Sequence, residues 1–217
     1  INIKNGYIYA SAKNGLRGSI INFPSISVGA TENAIIAAAY SIGKTTIKNC
    51  AIEPEIKDLI LFLNKMGCKI KLSGRTIFIN GKFIETKVEH EVMFDRIEAG
   101  TYIIAGAIAG KKITIKKIDS KVLYTELRLL KKMGIKIKIN KKDVSVVGNN
   151  KIKKINIKTA PYPGFPTDLQ AQMMVLMTRA NGVSKIKENI FENRFMHVPE
   201  LKRMGAKIKI INNTASI

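Results

Sequence analysis

Tryptophan is absent from these 217 residues, and cysteine and histidine occur only twice each. Cys50 and Cys68 stand in unlike contexts without a Cys-x-x-Cys spacing, which excludes a disulfide framework and a zinc-finger type of site. Both read as small buried residues, and with two histidines neither a metal site nor a cofactor is expected. No apolar run approaches the ~20 residues that a bilayer-spanning helix requires, and the first residues carry no basic-then-apolar leader. The expectation is a cytoplasmic protein with no membrane partner. Acidic residues are also scarce, 16 against 37 basic ones, for a formal charge of +21. An excess of that size raises nucleic acid as a partner, because lysine and arginine release counterions from phosphates. Here the positive residues are mostly lysines that alternate with isoleucine along predicted strands and gather in no patch. There is no RNP-like aromatic motif, finger spacing or helix-turn-helix. They read as solvated faces with general affinity for anions, and no specific nucleic-acid partner is expected.

What the chain does have is a repeat. Met66-Gly67-Cys68-Lys69-Ile70-Lys71 returns as Met133-Gly134-Ile135-Lys136-Ile137-Lys138 and again as Met204-Gly205-Ala206-Lys207-Ile208-Lys209. A repeat of this period is one supersecondary unit whose apolar face its neighbours must cover. With 46% hydrophobic residues the chain can build a core in one large domain or two small ones. In the first copy an Ala- and Ile-rich helix runs from Ala30 to Ile42 and stops at Gly43, followed by a strand from Lys44 to Cys50. Pro54 opens an amphipathic helix, with Ile56, Leu59, Ile60, Leu63 and Met66 at three- and four-residue steps. Strands Cys68–Leu72 and Thr76–Ile79 then form a hairpin around Ser73-Gly74.

The second copy repeats the order, with helices Glu98–Ala109 and Lys121–Met133 and strands Lys112–Lys116, Ile135–Ile139 and Val144–Val147. In the third the helices are Asp168–Arg179 and one ending at Met204, which Pro199 starts or kinks. Its strands are Val183–Lys187, Lys207–Ile210 and Thr214–Ile217. Each copy is helix, strand, helix, strand, strand, with one further strand leading in, so the fold class is α/β with helices packed on sheets. The first helix of each copy lacks a polar face and is expected to lie inside. Residues 1–20 read as the tail of a preceding copy. The polar stretch 82–91 reads as a linker, with a boundary close to Asp95 and domains at 1–93 and 94–217.

Each first helix has a distinctive lead-in: Ser25-Ile26-Ser27-Val28-Gly29-Ala30-Thr31, Phe94-Asp95-Arg96-Ile97-Glu98, and Phe165-Pro166-Thr167-Asp168. Helix N-termini present unpaired amides and the positive end of the helix dipole, so they suit phosphates and carboxylates. Small residues at Ser27 and Gly29 let a ligand approach the backbone. Ordinary capping by Ser, Thr or Asp, worth about 1 kcal/mol and requiring no ligand, is the reading that spacing alone favours for any one of them. The third is harder to dismiss, because three prolines and a glycine within residues 161–166 hold a rigid loop that ends on Thr167-Asp168. A carboxylate there can accept a hydroxyl proton from a substrate within hydrogen-bonding reach. The cluster Phe191-Glu192-Asn193-Arg194-Phe195-Met196-His197 falls in the same copy. Its plain reading is a helix-start loop in which Arg194 pairs with Glu192 and His197 is structural. Arg96, beside Asp95 and Glu98, reads as a salt-bridge network at the domain junction.

Four segments carry a resemblance: Ser27-Val28-Gly29-Ala30-Thr31-Glu32-Asn33, Asp95-Arg96-Ile97-Glu98-Ala99-Gly100-Thr101, Phe165-Pro166-Thr167-Asp168-Leu169-Gln170-Ala171-Gln172, and Phe191 through His197 continued by Val198-Pro199-Glu200. In this order, along essentially the whole chain, they resemble the UDP-N-acetylglucosamine enolpyruvyl transferases. The resemblance implies an inside-out α/β barrel of βαβαββ repeats, with this chain holding three of six: the last of one domain and the first two of the next. It implies transfer of enolpyruvate from phosphoenolpyruvate to the 3-hydroxyl of UDP-N-acetylglucosamine with release of phosphate, the first committed step of peptidoglycan synthesis. Asp168 matches the aspartate that contacts that hydroxyl and serves as the proposed base, with Thr167 beside it. Ile190 matches a residue touching the nucleotide sugar, and Ser25, Ile26, Ser27, Val28 and Gly29 match the stretch near its diphosphate. Ser25 departs from the lysine often found there, which removes a direct charge contact. Arg194 matches a cleft arginine, and Asp95 and Arg96 join it as cleft candidates.

The family's mobile loop, with its catalytic Cys or Asp, matches nothing in this chain, and neither Cys50 nor Cys68 corresponds to it. The isolated chain is therefore expected to have little activity, and near full-length rates of phosphate release would refute that. Three alternatives stand beside this reading: the 5-enolpyruvylshikimate-3-phosphate synthases, which share the architecture and chemistry, a non-catalytic fragment, and a basic RNA-binding scaffold. The sequence sets no oligomeric state.

Overall fold

Apolar-polar alternation along short strands and three- or four-residue steps along helices decide what this chain buries. In a computed structural model the described residues are 1–81 and 86–217; part of the expected linker, residues 82–85, lies outside them. The chain divides into two compact units, Ile1–Met93 and Phe94–Ile217.

The first unit begins with a hairpin of β1 (Asn2–Lys4) and β2 (Tyr7–Tyr9), turning through Asn5 and Gly6 at φ 53° and 79°, the handedness that tight hairpins need. Then follow β3 (Ile20–Asn22), α1 (Val28–Ala39), β4 (Gly43–Lys48), α2 (Pro54–Lys65), β5 (Lys69–Ser73) and β6 (Thr76–Gly81). The sheet order is β3-β4-β6-β5, with β3 parallel to β4 and the other pairs antiparallel. Ile70 lies opposite Ile79 and points into the core, while Lys69 and Lys71 stay in solvent, as the lysine-isoleucine alternation requires. Ile35, Ile47, Ile56 and Ile77 are fully buried between helices and sheet. Each stabilises the unit by roughly 1.5–3 kcal/mol relative to exposure.

The second unit holds two copies. The first has α3 (Arg96–Ala109), β7 (Lys112–Ile115), α4 (Tyr124–Lys132), β8 (Lys136–Asn140) and β9 (Asp143–Val147), in an antiparallel sheet ordered β7-β9-β8. The next has β10 (Ile152–Lys153), β11 (Asn156–Lys158), a 3-10 turn at Thr167–Leu169, α5 (Gln170–Met177), β12 (Ala180–Asn181), β13 (Lys185–Lys187), α6 (Val198–Arg203), β14 (Lys209–Ile211) and β15 (Thr214–Ser216). Its sheet β11-β13-β15-β14 repeats the first unit's topology, a parallel leading pair followed by an antiparallel hairpin. β10 and β12 add a small parallel pair.

The recurrent Met-Gly is a helix stop. In each copy Met is the C-cap and the glycine after it is left-handed, with φ 94°, 86° and 95° at Gly67, Gly134 and Gly205. The glycine amide bonds back to Asn64, Lys131 or Lys202 at 3.1, 3.0 and 2.9 Å. The next amide reaches Leu63, Leu130 or Leu201 at 3.1, 3.1 and 2.9 Å. This is a Schellman closure, which consumes two of the carbonyls a helix end leaves open and turns the chain toward the next strand, at Lys69, Lys136 or Lys209.

Four expectations change. The first helices do not all lie inside: α5 has no exposed residue, but α1 exposes Ile36 and its C-cap Tyr40, and α3 exposes Tyr102. The reason is packing. Within the second unit α5 packs against α3 and sends Met173, Met174, Leu176 and Met177 into the shared core, whereas within the first unit only one face of α1 meets α2 and the sheet. No leading strand precedes α3 among the described residues. Helix α4 starts at Tyr124 and not Lys121, because Asp119 accepts from the Lys121 amide at 2.9 Å and holds a turn ahead of it. The third copy's first helix opens as a 3-10 turn and ends at Met177, short of Arg179.

Candidate functional site

The polar loop ahead of α5 is built from its own backbone first. Tyr162–Pro163 is cis, the Gly164 amide donates to the Pro161 carbonyl at 2.8 Å, and Ala160 donates to Phe165 at 3.0 Å. Gly164 is required by the close turn: a Cβ there would meet the Ala160 Cβ at 2.6 Å and the Pro161 carbonyl oxygen at 2.9 Å. The Phe165 ring is buried in the unit's core and anchors the far side. The preceding copy also grips the loop. The Thr125 hydroxyl donates to the Pro163 carbonyl at 2.6 Å, and the Arg96 guanidinium lies 5.8 Å from the centre of the Tyr162 ring.

At the loop's exit Thr167 is buried while Asp168 faces solvent, its side chain 53% exposed. Arg194 Nη2 lies 2.5 Å from Asp168 Oδ1, so Arg194 pairs with Asp168 and not with Glu192 as the plain sequence reading had it. An exposed ion pair of this kind adds about 0–1 kcal/mol to stability, too little to account for the loop's rigidity. The Arg194 guanidinium also lies 5.3 Å from the Phe191 ring centre. Ile190, Phe191 and Arg194 line a depression of about 1020 Å³ together with Ile210 and Asn213. Thr167, Asp168, Ile190 and Arg194 are thus brought together.

Their link is a residue that the sequence reading missed. Glu188 is 3% exposed, and its carboxylate accepts from Thr159 Oγ1 at 2.8 Å, Thr167 Oγ1 at 2.9 Å and the Ile190 and Phe191 amides at 2.8 and 3.2 Å. Ile186 is buried and Lys187 exposed, so strand alternation turns Glu188 inward, the one signal that could have singled it out. His197 sits at the N-cap of α6. Burial and then the neighbouring Arg194 charge hold its pKa below the usual value, so the ring is neutral at pH 7.

The other candidates lie at simpler lead-ins. Ser27 caps α1 by accepting from the Ala30 amide at 3.3 Å, and its carbonyl accepts the Thr31 hydroxyl at 2.7 Å. Ser25 and Gly29 are exposed, Ile26 and Val28 half-buried, and a Cβ on Gly29 would meet nothing within 4 Å. No acidic side chain occupies the first turn of α1. Further along that helix Glu32 is held above the usual carboxylate pKa by burial and by Glu55 and Glu53. Asp95 caps α3, accepting from Ile97 and Glu98 at 2.7 and 3.0 Å. Arg96 turns inward, 7% exposed, where its charge partly offsets the burial that raises the Glu126 pKa. Both thiols are buried, and burial pushes their pKa values up, the opposite of a reactive cysteine. Among the described residues no cluster of His, Cys, Asp or Glu could hold a metal, and no helix is long and apolar enough to cross a membrane.

Helices packed on mixed sheets in this order are the fold of the enolpyruvyl transferases: the solved structure of the enolpyruvyl transferase NikO from Streptomyces tendae superposes with a TM-score of 0.79 over 87% of this chain and 45% of its own, at 24% identity. Residues 1–217 match the family described as EPSP synthase (3-phosphoshikimate 1-carboxyvinyltransferase), and the chain belongs to it. Among its relatives, a UDP-N-acetylglucosamine 1-carboxyvinyltransferase from Pelagibacter ubique is 59% identical over 98% of this chain and 51% of its own length. UDP-N-acetylglucosamine 1-carboxyvinyltransferase 1 from Clostridium acetobutylicum is 49% identical over 100% of this chain and 52% of its own. The chain spans about half the length of the curated relatives it matches.

Proposed function

We propose that this chain contributes the acceptor side of a UDP-N-acetylglucosamine enolpyruvyl transferase, acting in the cytoplasm in peptidoglycan synthesis. The observation that carries the reading is the Asp168 carboxylate, solvent-facing at the end of a rigid loop and paired to Arg194 beside an open depression. In the reaction the 3-hydroxyl of UDP-N-acetylglucosamine gives its proton to Asp168. The hydroxyl oxygen bonds to C2 of phosphoenolpyruvate while C3 takes a proton from a general acid; a C3 proton is then lost as the C2–O bond to phosphate breaks and phosphate departs. An ionised carboxylate within reach of a hydroxyl is a competent base, and the Arg194 ion pair fixes where Asp168 points. Ile190 packs against the sugar, and Thr167 keeps Asp168 in line.

Residues 25–29 take the diphosphate with the backbone amides at the head of α1, where neither a Cβ at Gly29 nor a first-turn acid stands in the way. Arg96 supports the loop through Tyr162. Residues 1–93 belong to the first domain of an inside-out α/β barrel and residues 94–217 are the first two copies of the second, three of six repeats in all. The names of the relatives above support the nucleotide sugar as acceptor.

Calorimetric titration separates this reading from its nearest rival. UDP-N-acetylglucosamine should bind and shikimate 3-phosphate should not; the reverse preference would assign the chain to the shikimate branch of the family.

A further inference from the structure

A carboxylate with 3% exposure is costly unless donors surround it, and Glu188 meets four. They come from three places: Thr159 beyond β11, Thr167 at the exit of the proline loop, and the Ile190–Phe191 turn. Two of these border the groups assigned to the acceptor, since Thr167 precedes Asp168 and the Ile190–Phe191 turn leads to Arg194. Thr159 extends the brace by accepting the Asn189 amide at 2.8 Å while it donates to Glu188. A carboxylate, with two oxygens at fixed separation, holds hydroxyls and amides from separate segments at once.

We propose that Glu188 is the positioning residue of the acceptor site, a buried brace that sets the distance between Asp168 and the loop carrying Ile190 and Arg194. The proposal rests on the reading of this site as the acceptor-sugar site. Glu188 touches no substrate and acts through the residues on either side of it. A glutamine can replace it, because the amide oxygen keeps the three partners of one carboxylate oxygen while the amide nitrogen donates to a Thr167 hydroxyl turned the other way. Alanine leaves every one of these donors unmatched.

The test compares the chain with its E188Q, E188A and T167V variants, well below their melting temperatures. Calorimetry reads the Kd for UDP-N-acetylglucosamine, and amide hydrogen exchange is followed at Asn189, Ile190 and Phe191. E188A should weaken binding by about tenfold or more and T167V by about threefold, with E188Q within about twofold of the parent. Exchange at the three amides should quicken in E188A but not in T167V. An E188A chain that is folded and binds as tightly as the parent would reduce Glu188 to a fold-stabilising residue and overturn the proposal. If the parent itself does not bind the nucleotide sugar, the acceptor reading fails separately, and exchange decides: unchanged protection in E188A overturns the brace, and lost protection supports it.

Discussion

The lead-ins to α1 and α5 occupy equivalent places in their copies, yet they satisfy their polar groups in opposite ways. At α1 the bonds are local: Ser27 caps, Thr31 folds back onto Ser27, and the outward face is open backbone. At α5 they are long-range, with Glu188 joining Thr159 and Thr167 across 29 and 21 residues. A local cap leaves amides to offer a ligand, whereas a braced loop offers a side chain held in place. The first arrangement suits a diffuse anion such as a diphosphate, and the second suits chemistry on one atom.

That contrast breaks most visibly at Phe165. Phe165→Ala removes the buried ring under the braced loop and should cost about 3–5 kcal/mol in urea unfolding, all of it in the second unit. Asp168→Asn should lower kcat in a catalytically active form of the protein by about 10²–10⁴-fold, the usual range for losing a general base, with little change in melting temperature. Ser27→Ala gives the opposite pattern. It should cost about 1 kcal/mol in the first unit and leave nucleotide-sugar affinity nearly unchanged, because the backbone amides remain.

The smallest effect belongs to pH. The folded pKa of His197 is depressed, so between the unfolded value near 6.5 and that lower value the unfolded chain binds the extra proton. Its contribution is intact above pH 6.5 and lost as pH falls through that window. Unfolding monitored from pH 7.5 to 5 should show a shallower decline in His197→Asn than in the parent.

The sequence made legible whatever is local. The Met-Gly stops are written in adjacent residues, and all three close as the periodicity predicts. Asp168 announced itself by the prolines before it. Glu188 did not, because a buried carboxylate among lysines looks like one more solvated charge until its distant partners are known. The pair β10 and β12 is two residues per strand, too short for any period. The apolar composition of α1 implied burial, but a helix buries only the face for which its unit supplies a partner, which left Ile36 and Tyr40 outside.

The central claim is that Asp168 engages the acceptor sugar. Calorimetric titration of UDP-N-acetylglucosamine into the parent and Asp168→Ala chains tests it most directly. The account predicts binding to the parent that weakens by about tenfold or more in the variant, with no comparable loss of fold. Equal affinity in the two chains would contradict it.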